Sequence, residues 1–232
     1  MSPTKVMPDE SPEIALNWQA QKSALTRDRI LDATISGFIK LGYNKLSTTQ
    51  VADMAGISRG AMRHHFDSKK ELIQAAIEYL HQKLLEEYLE NISLIPEALH
   101  GSGRALIRAR LDAFWNYLNS DLNLVYQELT MTARTDPELK DSLDRSIKNF
   151  DQIGRQSVLR LFSDWEGKGE RLFFIIDTSR VVLEGLIRVQ WQTAANREQF
   201  IERQLHYLTL CIEQIVNDDG NTEISQFFNE SE

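Results

Sequence analysis

The chain has a single cysteine, Cys211, in 232 residues. With no second thiol there is no internal disulfide framework and no cysteine cluster of the kind that holds structural zinc. Long apolar runs are also missing: the longest unbroken one, Leu172 to Ile176, is far short of the ~20 residues a membrane-spanning helix needs. The N-terminal stretch MSPTKVMPDESPEIALN has no apolar core and carries Asp9, Glu10 and Glu13, unlike a secretory or transit peptide, so a cytoplasmic protein is expected. No segment alternates apolar and polar residues with period two, no Asn-Gly or Asp-Gly turn separates two strand-like runs, and no repeat is visible. HExxH, GxSxG, P-loop and GxGxxG patterns are absent as well, so neither catalysis nor a cofactor or metal is expected.

What is present is an ordinary apolar share, 42%, in a length that suits one large or two modest domains. The formal charge of -8 argues against a polyanionic partner only if it is spread evenly. It is not. Residues 22–70 hold nine lysines and arginines (Lys22, Arg27, Arg29, Lys40, Lys45, Arg59, Arg63, Lys69, Lys70) against Asp28, Asp32, Asp53 and Asp67, a net of +5, while residues 71–232 sum to -11. A basic head on an acidic body points the head at a polyanion.

Punctuation divides the chain into helices throughout, which makes the fold class all-α, with about nine helices. Pro3, Pro8 and Pro12 mark residues 1–21 as a flexible arm. From Thr26 the apolar residues Ile30, Phe38 and Leu41 recur at helical spacing until Gly42 stops them. Ser47 with Gln50 reads as a capping box opening a short helix that ends at Gly56; Ser58 caps a third through Phe66; Ser68 with Glu71 opens a fourth reaching about Glu90. Beyond Pro96 and Gly101–Gly103 the expected helices are 104–119, one capped by Asp121, one from Pro137 to about Trp165, 171–193, and one capped by Asn196 over 197–217. The acidic stretch 218–232 reads as a mobile tail.

A short capped helix, a glycine turn and a second short helix form the helix-turn-helix that places its second helix in the major groove of DNA. Val51, Ala52, Ala55, Ile57, Met62 and Phe66 form its expected core, leaving Arg59, Gly60, Ala61, Arg63, His64 and His65 outward, with Ser58 at the helix start as a further candidate DNA contact. The run TRDRILDATISGFIKLGYNKLSTTQVADMAGISRGAMRHHFDSKKEL, Thr26 to Leu72, resembles the DNA-binding head of TetR-family transcriptional regulators, a likeness carried by Ala55-Gly56-Ile57-Ser58, Gly60, Met62, His65, Phe66, Lys69 and Leu72. The resemblance implies that Arg59 and Gly60 approach base edges, that His64, His65 and Lys69 hold phosphates, and that Thr48 touches the DNA backbone. Arg63 stands where the family usually has a tyrosine. Such a cation can hold a phosphate or reach a guanine edge.

The resemblance also implies the architecture and use of the rest of the chain: head 22–68, then a helical effector-binding and dimerisation body 69–217. Recognition helices of this kind work in pairs on two-fold, palindromic operators with half-sites ~34 Å apart or a multiple of it. The expected homodimer surface is 171–217, on the stripe Ile201, Leu205, Leu208, Ile212 and Ile215 with Phe200, Tyr207 and Cys211, and on Leu172, Ile176, Leu183 and Leu186 of the preceding helix. Phe114, Trp115, Tyr117, Tyr126, Gln127 and Phe162 are the expected lining of a mostly apolar effector cavity. The function this implies is a dimeric repressor that a small molecule releases from DNA by tilting the fourth helix. The alternative is a DNA-binding organiser or activator without an effector pocket.

Overall fold

Ser47 and Gln50 close a reciprocal box: the Ser47 Oγ accepts from the Gln50 N–H at 3.3 Å, and Gln50 Oε1 accepts from the Ser47 N–H at 2.9 Å. This satisfies two donors that a helix start otherwise leaves open. The computed structural model describes residues 12–99, 101, 103–162, 169–189 and 196–218. Among them the chain forms helices α1 (Pro12–Leu41), α2 (Thr48–Ala55), α3 (Arg59–His65), α4 (Lys69–Ser93), α5 (Arg104–Leu118), α6 (Asp121–Thr132), α7 (Pro137–Leu161), α8 (Gly169–Val189) and α9 (Arg197–Val216), with two single 3-10 turns and no strand. The all-α expectation holds. Residues 1–11 of the expected arm, Trp165, the expected helix end at 190–193 and the tail from 219 lie outside the described residues.

Several boundaries differ from the sequence reading. α1 begins at Pro12, so residues 12–21, expected in the arm, are helical. Pro is well suited to a first helical position, and the following Ala, Leu, Gln and Lys are strong helix formers. Thr26, the expected start, lies mid-helix with its hydroxyl donating to the Lys22 carbonyl at 2.9 Å. Trp18 is exposed, with Lys22 Nζ 5.4 Å over its ring. Ser120, not Asp121, caps α6, accepting from the Asn123 N–H at 3.2 Å. Asn196 caps α9 without a side-chain bond. Glu71 accepts from Asp67 N–H at 2.9 Å, one residue before the expected Ser68.

One hydrophobic cluster runs from the head into the body. Ile30, Phe38, Val51, Met62 and Phe66 continue into Leu72, Ile77, Leu80 and Leu84 of α4, then into Leu111, Leu118, Leu129 and Leu183. α4 packs on α1 at one end and on α5, α6 and α7 along its length. Each buried Leu or Ile on it contributes about 1.5–3 kcal/mol over leaving the side chain in water. Within the protomer α9 lies on α5, where Arg108 forks onto Glu202 at 2.7 and 2.6 Å and Arg104 reaches Glu213 at 2.6 Å. This packing corrects the expected interface stripe. Leu205, Leu208 and Ile212, like Leu172, Leu183 and Leu186, are buried inside the chain, because the 3.6-residue period that made the stripe visible is spent against α5 and the core.

Candidate functional site

The turn between α2 and α3 is fixed by Gly56, whose φ of 63° and ψ of 40° lie in the left-handed region that glycine enters without penalty. The Ile57 N–H then donates to the Ala52 carbonyl at 3.0 Å. Ser58 Oγ accepts from the Ala61 N–H at 3.1 Å and starts α3. Ser58, expected both as the cap of α3 and as a DNA contact, serves as that cap. Val51, Ala52, Ala55, Met62 and Phe66 are buried and Ile57 is half-buried, as expected of the motif's core.

Arg59, Gly60, Arg63 and His64 are exposed on the other side of α3; Ala61 and His65 are half-buried. The His64 and His65 rings stand edge to face, 5.7 Å apart. Burial, with His64 and Arg27 close by, holds the His65 imidazole below its ordinary pKa. Neutral at pH 7, it retains one N–H to donate.

Thr48, Arg59, Arg63 and Lys69 line one surface cleft of about 300 Å³ together with Thr49, Asp67 and Ser68. The cleft lies where the first turns of α2 and α4 meet the side of α3, so two helix starts and three cations border the same volume. That combination favours a phosphate oxygen. Two other cations of the basic head have structural partners: Arg29 Nη2 donates to the Ala55 carbonyl at 2.6 Å, closing the C-terminus of α2, and Arg27 lies 4.5 Å over the Phe66 ring.

The head is tied to the body through the turn after α1. The Tyr43 N–H donates to Glu128 Oε1 of α6 at 3.0 Å, and the Tyr43 hydroxyl donates to Asp136 Oδ2 at 3.0 Å. Burial first, then Asp136, pushes the Tyr43 hydroxyl up to about 12. Sequence reasoning missed this link, since its partners are 85 and 93 residues apart.

In the body, a cavity of about 320 Å³ opens between α4, α5, α7 and α8, with Leu84, Tyr88, Phe114, Tyr117, Phe150 and Phe173 in its walls. A smaller one of about 40 Å³ adjoins it, sharing Tyr88, Phe114 and Ile176 and adding Phe162 and Arg110. Phe114, Tyr117 and Phe162 of the expected set therefore line a cavity. The other three line neither of these two cavities. Trp115 lines a surface groove beside the start of α9, Tyr126 packs its ring on His81 at 5.3 Å, and the Gln127 amide donates to Asn123 Oδ1 at 3.0 Å. Residue type marked them as candidates, but the side of α5 and α6 they occupy is set by packing. Missed instead were Tyr88, Arg155 and Arg180.

Residues 30–76 match the family model described as bacterial regulatory proteins, tetR family. The chain is 28% identical over 132 residues to the uncharacterized HTH-type transcriptional regulator Mb2936c of Mycobacterium bovis, covering 57% of this chain and 65% of that protein. It thus spans just under two thirds of that relative's length. Its fold is similar to that of a transcriptional regulator from Rhodococcus sp. Rha1, with a TM-score of 0.54 at 20% identity over 81% of this chain and 96% of that one. It is also similar to the multidrug binding protein EbrR solved with imidazole, with a TM-score of 0.50 at 20% identity over 78% and 93%.

Proposed function

Through residues 30–76 this chain belongs to the TetR family of bacterial regulatory proteins, a family of regulators rather than enzymes, and on that premise we propose that it is a DNA-binding transcriptional regulator acting as a homodimer. The observation that carries the reading is the convergence of Thr48, Arg59, Arg63 and Lys69 on one cleft beside the exposed face of α3. In this reading residues 22–68 form the DNA-binding unit; Arg59, Gly60 and Ala61 approach base edges, while Thr48, His64, His65 and Lys69 hold phosphates. Ser58 serves mainly by starting the helix that carries them. The operator is a palindrome, read by two copies of α3.

The rest of the chain, 69–217, is the dimerisation and effector-binding body. The face left for a partner is the outward one: Phe174 and Val181 on α8, Phe200 and Tyr207 on α9, with Val181 72% and Tyr207 62% exposed. An apolar surface of this kind favours association. Repression relieved by a small molecule is supported by the aromatic cavity against α4, the helix that also carries the head. EbrR, similar in fold, was solved with imidazole. A ligand preferring one tilt of α4 shifts the spacing of the two recognition helices only as far as its preference goes. The cytoplasm is the proposed location; no described helix is long and apolar enough to cross a membrane.

The test is selection of duplexes from a random pool, followed by anisotropy titration at stated salt with wild type and Arg59→Ala. Enrichment of a two-fold sequence that the variant binds more weakly is the expected result. Indifference of the wild type to every duplex at low ionic strength overturns the reading.

A further inference from the structure

Lys69 opens α4 and is shared by two volumes at the protein surface. On one side is the cleft it lines with Thr48, Arg59 and Arg63. On the other is a pocket of about 210 Å³ between head and body, walled by Tyr43, Lys70, Asp136, Glu138 and Ser142. The two neighbouring lysines meet different chemistry there. Lys70 Nζ pairs with Glu138 Oε1 at 3.8 Å, whereas among the described residues no carboxylate oxygen lies within 4.0 Å of Lys69 Nζ. The Lys69 ammonium lies instead 5.7 Å from the centre of the Tyr43 ring. An aromatic face attracts a cation without neutralising it, so the whole charge stays available to a phosphate. A carboxylate partner would hold the ammonium and cancel its charge together.

The ring is itself held. Tyr43 is buried, its N–H donates to Glu128 Oε1 of α6 at 3.0 Å, and its hydroxyl donates to Asp136 Oδ2 at 3.0 Å. The other Asp136 oxygen accepts from the Leu139 N–H at 3.0 Å, which fixes the carboxylate to the first turn of α7. That backbone bond foremost, with Tyr43 and Lys69 among the lesser causes, keeps the Asp136 carboxyl below its ordinary pKa, so the acceptor of the phenol stays ionised. Lys69 is exposed, and an ammonium on a four-carbon stem samples many rotamers that binding must freeze at a cost in affinity. A ring fastened at both its backbone and its hydroxyl meets part of that cost before DNA arrives.

Resting on the reading of Lys69 as a phosphate contact, we propose that Tyr43 is a positioning residue for it: the ring holds the ammonium at the border of the cleft, and Asp136 holds the ring. Asp136 stands at the start of α7, the helix that also carries Phe150 and Arg155 into the wall of the body cavity. The body thus bears on the DNA contact through α7 as well as through α4.

The test uses the full chain and a duplex enriched by the selection experiment. Anisotropy titrations over a range of salt compare wild type, Tyr43→Leu, Lys69→Gln and the double variant, each checked for fold by circular dichroism. Lys69→Gln lowers the slope of log K against log salt by ~0.9, the loss of one phosphate contact. Tyr43→Leu weakens binding about two- to tenfold at the wild-type slope, since the charge remains and only its placement is lost. With Lys69→Gln already present, the same substitution has no further effect, whereas a purely structural role would cost as much in either background. Tyr43→Phe keeps the ring and frees it from Asp136; it loses part of the affinity, again only while Lys69 is present, and it carries the comparison if the leucine variant does not fold. Losses from the Tyr43 substitutions that are equal in both backgrounds, or wild-type affinity in either folded variant, overturn the proposal and leave Lys69 as a phosphate contact. Wild-type affinity and slope in Lys69→Gln remove the phosphate contact itself, and the proposal with it.

Discussion

The imidazole of His81 lies almost flat on the Phe150 ring, centroids 4.5 Å apart and planes 13° from parallel. The two residues join α4 to α7, and Phe150 is also a wall of the body cavity. The His81 Nδ1 is 2.6 Å from Ser146 Oγ, and its Nε2 is buried with no hydrogen-bond partner among the described residues. Burial pushes the imidazole from its ordinary 6.5 down to about 4. The folded chain therefore resists a proton that the unfolded chain accepts. The stabilisation is complete above pH 6.5 and is lost as pH falls toward 4, by about 3 kcal/mol for a shift of this size. Urea denaturation at a series of pH values measures it. In His81→Phe, which keeps the stacking and cannot be protonated, the profile between pH 6.5 and 4 becomes markedly flatter. An unchanged slope removes His81 as its source.

Gly42 should not tolerate a side chain. Its φ is 76°, and a Cβ built there would stand 2.9 Å from Glu128 Oε1, the atom that accepts from the Tyr43 N–H. Gly42→Ala therefore incurs a left-handed backbone penalty and also displaces the carboxylate that ties α1 to α6, a loss of about 1–3 kcal/mol. Thermal or urea unfolding measures the loss. Tyr43→Phe, which keeps the backbone bond and removes only the contact with Asp136, should lose less. If the two variants prove equally stable, the Glu128 contact has no weight.

What could be read from the sequence was local. The Ser47–Gln50 box, the Gly56 turn and the Ser58 cap depend on residues within a few positions of one another, and all three stand in the structure. The start of α7 is local in the same way: Asp136 Oδ1 accepts from the Leu139 N–H at 3.0 Å. Arg29 closing α2 and Tyr43 reaching α6 and α7 could not be read, because those pairings exist only after the helices dock. For the cavity, aromatic type was a poor guide: Trp115 and Phe114 are neighbours in sequence on different sides of α5. A better signal was available in Arg110, Arg180 and His81, polar residues on otherwise apolar helical stripes. A polar side chain in such a place either finds a buried partner or faces a cavity.

The outward faces of α8 and α9 should hold the dimer. Val181→Glu together with Tyr207→Glu places two charges where a partner would exclude water, and both sites are exposed in the protomer, so the fold survives. Wild type is expected to sediment as a dimer at micromolar concentration and the double variant as a folded monomer with weakened DNA binding. A wild-type monomer, or a double variant that still dimerises, would move the interface elsewhere.

Arg63 is the residue on which the structure sharpens the sequence most. As a cation in a position where the family usually has tyrosine, it could serve a phosphate or a guanine edge. It lines the cleft with Thr48, Arg59 and Lys69, beside the first turns of α2 and α4. Thr48 and Lys69, read as phosphate-holding residues, share that cleft, so Arg63 beside them suits an oxygen of the DNA backbone, while Arg59, on the first turn of α3, keeps its base edge. Arg63→Ala should then weaken binding to every duplex by a similar factor and lower the slope of log K against log salt by ~0.9, the loss of one released counterion. Arg63→Tyr should recover part of the affinity through a phenol hydrogen bond, while its salt slope stays at the alanine value, since a neutral donor displaces no cation. Anisotropy titrations over a range of salt on a selected operator and on single-base variants separate the possibilities. A salt slope equal to that of wild type, with specificity relaxed at one base pair, assigns Arg63 to the base edge instead.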